Sequence, residues 1–275
     1  MPASEFGTLR DPLARALREA GALALKGFRS ATLKSWLKDE TSPVSEADLA
    51  VDALLRERLG ALAPRAAWLS EESEDDPVRL AAEDVWIVDP IDGTRGYIAG
   101  KPDWTISVAL ARSGRPVLAA LYAPATDEMF LAGAAAGATL NDRRLTVSAN
   151  DALSGARFAG PKRYLDWIAR SHPDAVTVPK IHSLALRLAR VADGSIDAAF
   201  TSGHSHDWDL AAADLLVHEA GGALTDFSGR RLIYNNAEPV HEPLIAAGLP
   251  RHGELIELAR DTDRNRRQLG EDHGR

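Results

Sequence analysis

The chain is 275 residues long, enough for a sizeable core as one large domain or two packed halves. Its 40 acidic against 32 basic side chains leave a formal charge of -8, which argues against a general affinity for nucleic acid or an anionic membrane, so a phosphate-handling site here needs local positive charge, most simply from metal ions. The absence of cysteine removes disulfides, thiolate metal sites and cysteine nucleophiles together, and suits a reducing cytoplasm.

Asp11-Pro12 reads as an N-cap with proline at N1, and Leu13, Leu17, Ala20 and Ala24 carry a helical stripe from there to about Phe28. Arg18, Glu19 and Lys26 interrupt that run, so it is neither a signal-peptide core nor a membrane span. In "SPVSEADLAVDALLRERL" Ser45 offers a cap with Asp48 at the capping-box distance, and a second helix follows through Leu59. "AAWLSEES" and "DVWIVDP" are short apolar runs ending in carboxylates, as buried strands do whose ends emerge at one rim. "WTISVAL" and "PVLAALYAP" are two more strands, and "GATLNDRRLTVS" reads as a hairpin turning at Asn141-Asp142. Further on come a helix in "YLDWIAR", a longer one from His182 to Ala192, a strand "IDAAF", a helix "HDWDLAAADLLVHEAGG" stopped by Gly221-Gly222, and a strand "ALTDF". A seam near Asn150 to Gly160 divides the chain into intimately packed α/β halves, 1–152 and 153–260, and the charged stretch 261–275 is expected to fray.

The densest chemistry lies in "WIVDPIDGT". A turn in which Asp89 and Asp92 flank Pro90-Ile91 presents two carboxylates and a backbone carbonyl to one centre, the donor set that Mg2+ takes. Gly93 and Thr94 follow at the start of a helical turn, where free N–H groups suit a phosphate oxygen. Glu71-Glu72 and the pair Asp207 and Asp209 add acids at the end of another strand and the start of a helix. A cage this acidic repels itself unless cations neutralise it, which calls for two or more metals. His204 and His206 beside Asp209 suggest zinc, but oxygen-rich surroundings suit magnesium better; His204 remains a candidate substrate contact.

"WLSEES", "WIVDPIDGT" and "HDWDLAAADLLVHEAGG", in that order, resemble the signatures of the inositol monophosphatase family, Mg2+-dependent, lithium-sensitive phosphomonoesterases that include 3'(2'),5'-bisphosphate nucleotidases and fructose-1,6-bisphosphatases. The resemblance runs from about Lys38 through Gly222 and implies a layered αβαβα sandwich, often a homodimer. It makes Glu71, Asp89, the Ile91 carbonyl, Asp92 and Asp209 the ligands of two or three Mg2+ ions, with Gly93 and Thr94 on phosphate and Lys38 as the upstream lysine. It also implies an in-line displacement in which Asp48 and Thr94 orient the attacking water and Glu71 assists as a base. Asp207 takes no role in it and reads as a cap or surface residue.

For the substrate, "LSEE" and Tyr122-Ala123-Pro124 are closer to the bisphosphate nucleotidases, whose Ser-Leu-Lys element falls on Ala185-Leu186-Arg187. Arg187 is then a contact for a second phosphate, or a surface arginine on a helix. In the loop Arg95 to Trp104, Arg95 and Lys101 suit an anion, and Tyr97 or Trp104 a base, unless Trp104 simply opens a buried strand. The expected substrate is 3'-phosphoadenosine 5'-phosphate, with inositol 1-phosphate or histidinol phosphate as alternatives. Two other classes are a non-catalytic regulator on the same fold, which the intact ligand set disfavours, and a nucleic-acid-associated factor, which the charge of -8 disfavours.

Overall fold

The computed structural model describes residues 3–38, 42–150 and 152–271. Its first helix, α1, runs Ala3–Gly27 with Pro12 inside it rather than at its start. Leu9 packs on the same apolar cluster as Leu13, Leu17, Ala20 and Ala24, so burying one more turn of the stripe outweighs the hydrogen bond the proline cannot donate. A ribbon of β1 (Ser35–Leu37) and β2 (Pro43–Ser45) leads into α2 (Glu46–Leu62). The start of α2 is the expected reciprocal cap: Asp48 Oδ2 accepts from the Ser45 N–H at 2.8 Å, and the Ser45 side chain accepts from the first turn of the helix.

Seven strands then form one sheet in spatial order: β3 (Ala67–Ser70), β4 (Asp84–Asp92), β5 (Thr105–Arg112), β6 (Arg115–Ala123), β7 (Glu128–Gly133), β8 (Gly137–Leu140) and β9 (Arg143–Arg144). Within it only β3 and β4 are parallel; the rest is an antiparallel meander. The β8–β9 turn is the expected hairpin, with Asn141 and Asp142 both at positive φ. A short helix, α3 (Thr94–Ile98), links β4 to β5.

Beyond the seam the elements are β10 (Arg157–Ala159), α4 (Lys162–Ser171), β11 (Val176–Thr177), α5 (Leu184–Ala192), β12 (Ala198–Phe200), β13 (Ser205–His206) and α6 (Asp207–Glu219). After Gly221, whose φ of 92° ends α6, come β14 (Gly222–Asp226), β15 (Val240–His241), β16 (Leu244–Gly248) and α7 (Leu249–Glu271). The order β11-β10-β12-β16-β14 makes a second sheet, and β13 pairs with β15 as a separate ribbon. Leu255 and Ile256 anchor the first half of α7, whose helical backbone runs to Glu271 within the stretch expected to fray; residues 272–275 lie outside the described residues.

Alternation along the strands sorts the layers. Ile106, Val108 and Leu110 of β5 face α1 and α2, while Ala109 and Ala111 face the opposite way, toward α5, α6 and Leu224, Leu244 and Ala246 of the second sheet. On the far side of that second sheet Phe158, Phe200, Ile245 and Ala247 pack against Trp167 and Ile168 of α4 and Leu255 and Ile256 of α7. The stack is α1/α2, seven strands, α5/α6, five strands, α4/α7: the αβαβα sandwich. One apolar cluster includes residues of both sheets and of α5 and α6.

Candidate active site

In a regular strand, residues three apart point to opposite faces, so Asp89 and Asp92 would not meet. The ladder between β4 and β5 shows why they do. Asp89 stands opposite Ser107 and Asp92 opposite Thr105, three steps on one strand against two on the other, which is a β-bulge at Pro90-Ile91. Proline has no N–H to give the ladder, and the Ile91 N–H turns back to Asp89 Oδ1 at 3.0 Å. The extra residue rotates Asp92 onto the side of Asp89.

Asp92 lands on the start of α5. Its carboxylate accepts from the Leu184 N–H at 3.1 Å, the Ala185 N–H at 2.7 Å and the Ser183 hydroxyl at 2.5 Å. Ser183 also caps α5 by accepting from the Leu186 N–H, and with its own proton on Asp92 it accepts from Thr105 Oγ1 at 2.9 Å. Starting this helix at His182, as the sequence suggests, passes over Ser183; a serine directly before the apolar stripe of "LALRLARVA" is the signal for it. Gly93 makes this approach possible: its φ is 92°, and a Cβ at that position would stand only 2.9 Å from the Ser183 nitrogen.

The third acid comes from α6. Asp209 sits in its first turn, and its Oδ2 accepts from the His206 N–H at 2.7 Å. Asp89, Asp92 and Asp209 each bring a carboxylate oxygen within 4.8 Å of the others, and among the described residues they are the one acidic group close enough to share an ion. Burial, then the surrounding negative charges, holds Asp89 and Asp209 well above the usual carboxylate range; burial lifts Asp92 to about 6 against its three donors. Hard oxygen donors, buried and mutually repelling, fit a divalent cation.

The remaining predicted residues surround this floor. Glu71 adds its charge to all three acids but stands outside their cluster, with Oε1 held by Lys38 Nζ at 3.0 Å. Lys38 also holds Glu72 at 2.7 Å, and burial pushes Glu72 up to about 7 despite that contact. Lys38 therefore meets two carboxylates. The Thr94 hydroxyl lies 3.1 Å from Asp48 Oδ1 and 2.9 Å from the Ile91 carbonyl; having one proton, it serves one of them at a time. Burial raises the pKa of Asp48, opposed by its bonds from Ser45 and Thr94.

Several expectations need correction. Asp207 is neither cap nor surface residue: it is completely buried and accepts from the Asn235 N–H at 2.6 Å and from His241 Nε2 at 2.7 Å, because it is the first helical residue and His206 holds the cap position. Arg187 is not a surface arginine. It lies largely buried on α5 with Nε unpartnered; burial lowers its pKa and the charge of Asp92 opposes that. Tyr97 and Trp104 are not open to a base, since both are fully buried, packed edge to face on each other at 4.9 Å and against Phe28 at 5.6 and 5.5 Å, with the Tyr97 hydroxyl on the Ala24 carbonyl. His204 is exposed at φ 69°, its N–H on the His241 carbonyl, whereas His206 is half-buried and stacked on Trp208 at 4.6 Å; burial lowers the His206 pKa and the charge of Glu71 opposes that.

Carboxylates gathered at the ends of the parallel strands β3 and β4 and in the first turns of α2 and α6 suit a site for hydrolysis assisted by divalent cations. The sequence model of the inositol monophosphatase family matches residues 8–263. The chain is 36% identical over 231 residues to an inositol-1-monophosphatase of Rhizobium meliloti, covering 80% of this chain and 86% of that protein. It is 32% identical over 226 residues to the Nus factor SuhB of Escherichia coli, covering 78% and 84%. The crystal structure of the extragenic suppressor protein SuhB from Bartonella henselae superposes with a TM-score of 0.82 at 29% identity, over 92% of this chain and 98% of that one. The chain belongs to the inositol monophosphatase family.

Proposed function

We propose that the chain hydrolyses the monophosphate ester of a small polyol, inositol 1-phosphate, with two or three Mg2+ ions held by Asp89, Asp92, Asp209, the Ile91 carbonyl and Glu71. The observation that carries this reading is the convergence of three aspartates, Asp89 and Asp92 buried and Asp209 half-buried, whose carboxylate oxygens lie within 4.8 Å of one another. Magnesium bound there lowers the pKa of water and offsets charge on the ester oxygens. Asp48 accepts the Thr94 proton, which frees the Ile91 carbonyl for a cation and leaves the Thr94 oxygen to receive a hydrogen bond from the attacking water. Glu71, whose Oε1 lies 3.0 Å from Lys38 Nζ, takes a proton from that water. The N–H groups of Gly93 and Thr94 at the start of α3 receive the phosphate oxygens. In this reading the enzyme is lithium-sensitive, cytoplasmic and homodimeric, each chain built from the halves 1–152 and 153–260.

The choice of a polyol rests on the loop after the metal motif. With Tyr97 and Trp104 closed into the Phe28 cluster, that loop has no aromatic platform for a base. The inositol-1-monophosphatase name of a relative at 36% identity supports the same choice. A second reading, a 3'(2'),5'-bisphosphate nucleotidase, is favoured by the unpartnered Nε of Arg187. Phosphate release at saturating Mg2+, with and without lithium, from inositol 1-phosphate, 3'-phosphoadenosine 5'-phosphate, histidinol phosphate and fructose 1,6-bisphosphate separates them. The proposal expects inositol 1-phosphate to be fastest and lithium to inhibit; preference for the nucleotide replaces it with the second reading, and no Mg2+-dependent release from any ester rejects both.

A further inference from the structure

A cavity of about 640 Å3 opens on the α4/α7 layer and is lined by none of the proposed site residues. That volume is in the range of small-molecule sites, which run from about 300 to 1,000 Å3. Tyr164 and Trp167 of α4 and Phe227 after β14 line it, continuous with Phe200 through ring contacts of 5.1 to 6.4 Å. Around these rings stand four arginines, Arg163, Arg170, Arg230 and Arg260, against two carboxylates, Asp226 and Glu242, an excess of positive charge in a chain whose net charge is -8.

The arginines divide by what they already hold. Arg230 is bound to Asp226 at 2.8 Å and Arg260 to the Ser228 carbonyl at 2.9 Å, so both are spent on the turn after β14. Arg163 lies over the Tyr164 ring at 4.6 Å, and neither it nor Arg170 has a carboxylate partner among the described residues. Lys162, by contrast, is closed on Asp166 at 2.7 Å. Positions 163, 167 and 170 are four and three residues apart, which brings cation, indole and cation onto one helix face. Two guanidinium forks flanking flat rings suit a ligand with a planar base and several phosphate oxygens.

We propose that this cavity binds a purine nucleotide, with the base against Tyr164, Trp167 and Phe227 and the phosphates on Arg163 and Arg170. The assignment is independent of the ester hydrolysed at the metal site.

The test is titration calorimetry on the full chain in chelator, with ADP, adenosine and inorganic phosphate as probes. ADP binding is expected, with adenosine and phosphate each at least about tenfold weaker, since neither spans rings and arginines together. Arg163→Glu with Arg170→Glu should weaken ADP by about thirtyfold or more, and the milder Arg163→Gln with Arg170→Gln by about tenfold, both leaving Mg2+-dependent ester hydrolysis unchanged. The proposal is overturned if ADP does not bind, if phosphate alone binds as well as ADP, or if both double variants keep wild-type affinity.

Discussion

Magnesium should stabilise this protein against heat much more at pH 8 than at pH 5. Burial holds Asp92 at about 6, some two units above the ordinary aspartate value of 3.8. An acid whose folded pKa is raised binds more protons folded than unfolded, so the metal-free fold loses stability as pH climbs from about 4 to 6 and does not regain it above that. For Asp92 alone the loss is about 3 kcal/mol at neutral pH, at ~1.4 kcal/mol per unit. A cation relieves this repulsion but must displace the proton below pH 6. At pH 5 Asp92 is about nine-tenths protonated, which weakens apparent metal affinity about tenfold and removes ~1.4 kcal/mol of ligand-linked stability. Asp89 and Asp209, raised in the same direction, add to the difference. With a melting shift of roughly 2–4 °C per kcal/mol, the rise in Tm from chelator to saturating Mg2+ should be larger at pH 8 by at least ~3 °C. Differential scanning calorimetry measures it directly. An equal rise at both pH values would mean that magnesium does not bind at these carboxylates.

Ser183→Ala removes a helix cap and the hydroxyl bound to Asp92, and leaves buried Thr105 without its partner; a loss of about 2–4 kcal/mol by urea denaturation is expected, and a loss under 1 kcal/mol contradicts the contacts described. Thr94→Val keeps the shape but not the proton, so kcat should fall about 10^2-fold or more with Tm within a few degrees of wild type; near-normal turnover removes Thr94 from the mechanism. Gly93→Ala places a methyl against the Ser183 nitrogen at positive φ and should cost about 1–3 kcal/mol and most of the activity, measured by chemical denaturation and phosphate release; an unchanged midpoint would show that the turn relaxes freely.

What the sequence made legible was whatever is local. The Ser45/Asp48 cap, the strands before Glu71 and Asp89 and the Asn141-Asp142 hairpin each follow from residues within a few positions of one another, and the structure has them there. Strands β7 and β16 are not legible in "EMFLAG" and "LIAAG" because small residues there carry little strand propensity of their own and the pairing comes from neighbours, β6 and β8 for β7, and β12 and β14 for β16. The same limit applies at the site. The acids of "DPID" announce themselves, but the bulge that turns Asp92 is a property of the β4–β5 ladder, and its hydroxyl partner Ser183 is 91 residues away. Asp207 misled for a related reason: as an acid opening a helix it looks like a cap, whereas its partners His241 and Asn235 lie on the ribbon and loop far downstream.

The way Asp92 is held bears on why so acidic a rim can still take cations. A buried carboxylate is commonly neutralised by an arginine or lysine, but an ion pair made that way competes with the metal for the same oxygens. Here the donors are neutral: two amides at the start of α5 and one hydroxyl. They orient the carboxylate and recover part of its lost hydration without supplying a full positive charge, so Asp92 remains hungry for a cation. Of the nearby cations, Lys38 is occupied by Glu71 and Glu72 at the edge of the site, and Arg187 on α5 feels the charge of Asp92 but is not among the three donors to its carboxylate. Moving a cation onto the floor should therefore damage metal binding more than removing a donor. Leu184→Lys, at the helix start beside Asp92, is the case to examine: its ammonium should reduce Mg2+ affinity about tenfold or more, measured by Mg2+ titration of activity, while Leu184→Met stays near wild type. Equal Mg2+ affinities in the two variants would show that net charge at the floor is not what selects the ion.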